Sequence, residues 1–191
     1  MTALAELEER RARECRLTPD RALETLDMAE EFLLDRGLLT RSTDSALPSL
    51  FEACHEGPYA RDRPGFGQWS ATKFPWFGQL GARGRLILAI HRGKSLLVTD
   101  EVAALLDPIC RAELARMEVE DEGWARLLQH LAGAGPSELD DLQTELGLTP
   151  KELKRTRSPL ERCGAVVAHL ALLAILWIFR RKPPAMIVQV A

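Results

Sequence analysis

The stretch Gly147-Leu148-Thr149-Pro150-Lys151-Glu152 constrains this chain more than any other. Gly147 suits the left-handed stop of a preceding helix. Thr149 can cap the next one, Pro150 sits where its missing N–H costs nothing, and Glu152 stands at the capping-box position. Two helices must therefore meet across a very short turn. Upstream, Ser137 begins a helix with Leu139, Leu142 and Leu146 on its buried face and Asp140 as a weak capping-box partner. Before that, Asp121 is placed to cap a helix carrying Trp124, Leu127, Leu128 and Leu131, which Gly133-Ala134-Gly135-Pro136 ends. Downstream, Leu153 and Leu160 face inward with Cys163 beyond them, Gly164 stops the helix, and Ala165 to Ala168 reads as a strand. Three short helices, a tight turn and a strand make a winged helix-turn-helix pattern.

The remainder is less regular. Residues 2–16 are dense in Glu and Arg and read as a charged helix or tail. Thr18-Pro19-Asp20 predicts a helix start, with Leu23, Leu26, Phe32, Leu33 and Leu34 at helical spacing and Gly37 as the stop. Ser49 can cap a short helix through Leu50, Phe51 and Cys54. Residues 57–84, rich in Gly, Pro and aromatic rings, predict a loop pinned by those rings. Leu86 to Ile90 and Ser95 to Thr99 predict a β-hairpin with a basic tip, His91-Arg92-Gly93-Lys94. Asp100 then caps a helix that Pro108 interrupts or restarts, with Ile109, Leu114 and Met117 continuing its apolar stripe. The expected class is mainly α with small β-hairpins (α+β). The expected divisions are a charged segment 1–16, an α+β region 17–119, a winged-helix module 120–168 and an atypical tail 169–191.

Charge distribution points to a partner. The 191-residue chain carries a net −3, so no basic field covers the whole protein. The helix from Pro150 is the exception: Lys151, Lys154, Arg155, Arg157 and Arg162 stand against only Glu152 and Glu161. Such a helix can lie in a major groove, with Ser158 adding a hydrogen bond, and duplex DNA is the expected partner. His91, Arg92 and Lys94 on the hairpin tip are a second candidate contact with a DNA backbone or minor groove, although a charged tip is also what a wet turn requires.

Other chemistries fit poorly. Gly93-Lys94-Ser95 lacks the earlier glycine and the following helix of a phosphate loop. Cys54-His55-Glu56 holds a thiol and an imidazole, but neighbours on one element point apart. The histidines show no metal-ligand spacing, and no cofactor is expected. Cys15, Cys54, Cys110 and Cys163 are scattered, which with the charged N-terminus predicts reduced thiols in a cytoplasmic protein.

Four stretches carry a family likeness: Leu47-Pro48-Ser49-Leu50-Phe51-Glu52-Ala53-Cys54, Gly65-Phe66-Gly67-Gln68-Trp69, His91-Arg92-Gly93-Lys94-Ser95, and Ser158-Pro159-Leu160-Glu161-Arg162-Cys163-Gly164-Ala165-Val166-Val167. Together they resemble bacterial winged-helix proteins related to the AlkZ DNA glycosylases. That resemblance covers roughly residues 17–168 and implies a DNA-binding protein of repair or regulation. In the glycosylases it would further imply excision of alkylated bases by way of a Gln-x-Gln motif. This chain has no such motif, and its expected role is binding without catalysis, with a glycosylase or a pure protein-interaction module as alternatives.

The run Gly164 to Phe179 departs from that pattern. It is sixteen residues, apolar except for His169, and ends at Arg180-Arg181-Lys182. Three readings stand: a strand or helix completing the core, a short membrane anchor below the usual ~17–25 residues, or an atypical end to the gene product. The first and third are favoured over the anchor.

Overall fold

Side-chain caps written into the sequence start four of the eight α-helices among the described residues. In the computed structural model, which describes residues 2–42, 47–56, 73–91, 93–118, 122–169 and 172–175, α1 (Ala3–Glu14) starts at Thr2, whose hydroxyl accepts from the Ala5 N–H. α2 (Leu26–Arg36) starts at Thr25 and ends at Gly37 with φ +77°. β1 (Leu38–Thr40) follows, then α3 (Leu50–Ala53), capped by Ser49.

The expected helix start at Thr18 is corrected here. Pro19–Arg21 forms one 3-10 turn without a side-chain cap, and Ala22 is extended. Leu23 is fully buried, and its N–H donates to the Ala53 carbonyl at 2.7 Å. A long-range hydrogen bond thus overrides the local signal, and the helix restarts at Thr25.

The Gly- and aromatic-rich segment also differs from a plain loop. Its described part contains α4 (Trp76–Ala82), with Phe77 and Leu80 buried. The predicted hairpin is present: β2 (Leu86–His91) and β3 (Lys94–Val98) are neighbours in one sheet, and Gly93 between them takes φ +74°. β3 also pairs antiparallel with β1, Leu39 opposite Leu97.

α5 (Asp100–Glu118) runs unbroken through Pro108. The expected interruption fails because Pro108 is exposed, so its missing N–H falls on the solvent side. Leu114 and Met117 are buried, but Leu105 and Ile109 face out. Then come α6 (Glu122–Ala134), β4 (Ser137–Glu138), α7 (Leu139–Leu146), α8 (Pro150–Arg162), β5 (Val166–His169) and β6 (Leu172–Ile175). Ser137 does not cap α7 as expected. It is strand, opposite Leu173 of β6, and its hydroxyl donates to the Gly135 carbonyl at 3.0 Å.

β4, β6 and β5 form an antiparallel sheet in that order. Helix, strand, two helices, two strands, with the first strand joined to the last, is the winged-helix arrangement. The apolar run beyond Gly164 is therefore, as far as Ile175, the wing itself: β5 turns back as β6, and Val167 pairs with Ala174. Among the described residues no helix is long and apolar enough to cross a membrane. Residues 176–191, with the basic triplet, lie outside the described residues, as does Asp121.

The chain divides into two compact units: Met1–Leu86 with Leu96–Thr99, and Ile87–Ser95 with Asp100–Ala191. The first buries Phe32, Leu33, Leu39, Leu50, Phe77 and Leu97. The second is built on Leu114, Leu127, Leu128, Leu131, Leu142, Leu153 and Leu160, with Trp124 and Leu146 packed at the edge. α5 belongs with this second unit.

Candidate nucleic-acid interface

α8 is held in place by its own sequence at both ends. Thr149 accepts from the Glu152 N–H at 3.3 Å, while the Glu152 carboxylate accepts from the Thr149 N–H at 2.8 Å and from its hydroxyl at 2.6 Å. These bonds, the hydroxyl's foremost, hold the Glu152 carboxyl below the usual range, so this anion is already engaged at the helix start. Leu153 and Leu160 are buried, which fixes the rotation of α8 about its axis.

That rotation decides which cations face water. At 100° per residue, Lys151, Lys154, Arg155, Ser158 and Arg162 share one face, opposite Leu153 and Leu160. Lys151, Lys154, Arg155 and Arg162 are exposed. Among the described residues none of the four has a carboxylate partner. The stripe runs about 16 Å along the helix.

Two predicted members play other parts. Arg157 lies beside the stripe, half-buried, and its guanidinium donates to Glu161 at 2.5 Å. Its charge is therefore matched within the helix. Ser158 donates its hydroxyl to the Lys154 carbonyl at 2.7 Å, so its hydrogen is not free for a ligand. Pro159 stays within α8, which continues to Arg162.

The far end of α8 meets the hairpin. A Cβ placed on Gly93 would lie 3.3 Å from Arg162 Nε. The two candidate sites are thus adjacent: the turn that carries His91 and Lys94 lies under the last cation of α8. Lys94 is exposed and His91 half-buried; Arg92 lies outside the described residues. Gly164 enforces this approach. Its φ is +78°, and a Cβ there would sit 2.7 Å from Cys110 Sγ and 3.3 Å from Ile90 Cγ2. Only a glycine lets the chain leave α8 so close to α5 and β2. Sequence reasoning missed this adjacency, although the positive-φ glycines at 93 and 164 were its local trace.

The thiol–imidazole cluster has a structural surrounding. Cys54 and His55 are buried. Burial pushes the Cys54 thiol up to about 12, which leaves no thiolate at neutral pH. His55 Nε2 lies 3.2 Å from the Arg16 carbonyl. Cys163, under the end of α8, is likewise raised by burial to about 11.

Compared with protein-family models, curated proteins and solved structures, the chain matches none.

Proposed function

We propose that the second unit binds duplex DNA, with α8 as the helix presented to the major groove and the β2–β3 hairpin turn as a flanking contact. One observation carries this reading: four cations without carboxylate partners among the described residues line the face of α8 opposite its buried leucines. A helix-turn-helix second helix makes phosphate and base-edge contacts with such a face. The likeness to winged-helix proteins related to the AlkZ glycosylases agrees with a role in repair or regulation. Catalysis is not part of the proposal, which rests on the charge of the exposed face alone.

The test is the salt dependence of duplex binding by fluorescence anisotropy. If each of the four cations meets one phosphate, log K should fall by about 3.6 per log unit of salt. Lys154→Ala with Arg155→Ala should reduce that slope by about 1.8. An unchanged slope and affinity in the double variant would remove α8 from the interface. No binding by the wild-type chain at low salt would refute the proposal altogether.

A further inference from the structure

The first unit carries a guanidinium held in an unusual way. The Arg41 guanidinium carbon lies 5.4 Å from the Phe74 ring centroid and 5.7 Å from those of Phe51 and Phe77. Phe51 and Phe74 stack, their centroids 5.5 Å apart and their planes 26° from parallel. Phe51 and Phe77 are buried, whereas Phe74 is 40% exposed and Arg41 itself is exposed. Two inner rings thus anchor a surface ring and a surface cation. The backbone at Arg41 is also fixed: Thr40 donates to the Pro48 carbonyl at 2.8 Å and pairs with Leu96, and Ser49 Oγ donates to the Arg41 carbonyl.

Among the described residues Arg41 meets no carboxylate. In the same unit Arg11, Arg36, Arg83 and Arg85 each meet an Asp or Glu within 3.5 Å. Arg41 has no ion pair among the described residues. Aromatic faces attract a guanidinium from one side without using its N–H donors. Arg41 is exposed, and its N–H donors form the planar fork that suits a phosphate. A second cation lies on the adjoining segment: Lys73 Nζ is 5.9 Å from the Trp76 ring and donates to the Cys54 carbonyl at 3.4 Å.

A guanidinium held by rings beside a surface ring, without an ion pair among the described residues, suits one ligand chemistry well: an oxyanion attached to a planar ring. We infer that Arg41 and Phe74 form a site for an unpaired nucleotide, with the phosphate on Arg41 and the base stacked on Phe74. Aromatic stacking of this kind tolerates any base. The site is independent of the α8 reading, lying on different residues in the other unit.

The experiment uses the full chain and two probes, adenosine monophosphate by calorimetry and labelled single-stranded oligothymidylate by anisotropy. Binding of both would make the site one for nucleotides in general, and binding of the oligonucleotide alone would make it a single-strand site. Arg41→Gln and Phe74→Ala should each weaken the bound probe by about tenfold or more and leave duplex binding unchanged. Phe74 is at the surface, and a melting curve for each variant separates lost binding from lost folding; Arg41→Lys, which keeps the charge but not the fork, should also bind weakly. The Lys154→Ala, Arg155→Ala variant should keep oligothymidylate binding while losing duplex binding. The inference is overturned if neither probe binds, if folded Arg41→Gln and Phe74→Ala bind as the wild type does, or if the α8 variant loses the single strand in parallel with the duplex.

Discussion

Gly164→Ala isolates the contact that sets the end of α8. Two costs combine there. An L-residue at φ +78° is strained by about 1–2 kcal/mol. Its methyl would also sit 2.7 Å from Cys110 Sγ and 3.3 Å from Ile90 Cγ2, and Cys110 is buried. Overpacking of this order costs about 1–3 kcal/mol. Gly147→Ala is the control. Gly147 has φ +66° but nothing within 4 Å of an added Cβ, so it bears the backbone strain alone. Gly164→Ala should therefore destabilise the chain by about 2–5 kcal/mol, and Gly147→Ala by about 1–2 kcal/mol. Thermal melting followed by circular dichroism resolves the difference, since each kcal/mol moves the midpoint by about 2–4 °C at this size. Adding Cys110→Ala to Gly164→Ala should recover the steric part and leave the φ strain, a coupling of about 1 kcal/mol or more. Equal destabilisation at 147 and 164, or strictly additive behaviour of 110 and 164, would show that the close approach of α8 to α5 is not as described.

Glu161→Gln should strengthen duplex binding and steepen its salt dependence, because it frees Arg157 beside the exposed stripe; Arg157→Ala should change affinity far less than Lys154→Ala. Anisotropy at two salt concentrations checks both, and a weaker Glu161→Gln complex would count against the α8 surface. Cys54 gives a prediction in pH. Its thiol is raised from an ordinary value of 9.0 to about 12 by burial, so the folded chain keeps the proton longer than the unfolded chain. The associated stability is complete below pH 9 and is lost as pH climbs from about 9 toward 12, at up to about 1.4 kcal/mol per unit. Urea titrations across that range should show a steeper decline for wild type than for Cys54→Ala, and parallel curves would show that the thiol ionises freely.

The legibility of these features followed their range along the chain. The Thr149–Glu152 capping box, the Gly37 and Gly147 stops, the Ser49 cap and the β2–β3 hairpin all depend on residues a few positions apart, and all formed as expected. The errors came where a distant partner outweighed a local signal. Leu23 bonds to Ala53 and breaks the helix expected from Thr18. Ser137 pairs with Leu173 and becomes strand. Within the apolar run after Gly164, ambiguous by composition, Leu172–Ile175 becomes a strand because β5 and β4 both offer it hydrogen bonds.

The candidate surface divides in the same way. Sequence alone placed five cations on one helix and, through Leu153 and Leu160, the face that four of them occupy, because helical periodicity is a property of the backbone. Packing determined the rest. It set Arg162 over the Gly93 turn, and it gathered Phe51, Phe74 and Phe77 around Arg41 from separate segments. No local pattern encodes these proximities, since they arise only when the cores close and bring remote residues to a common point.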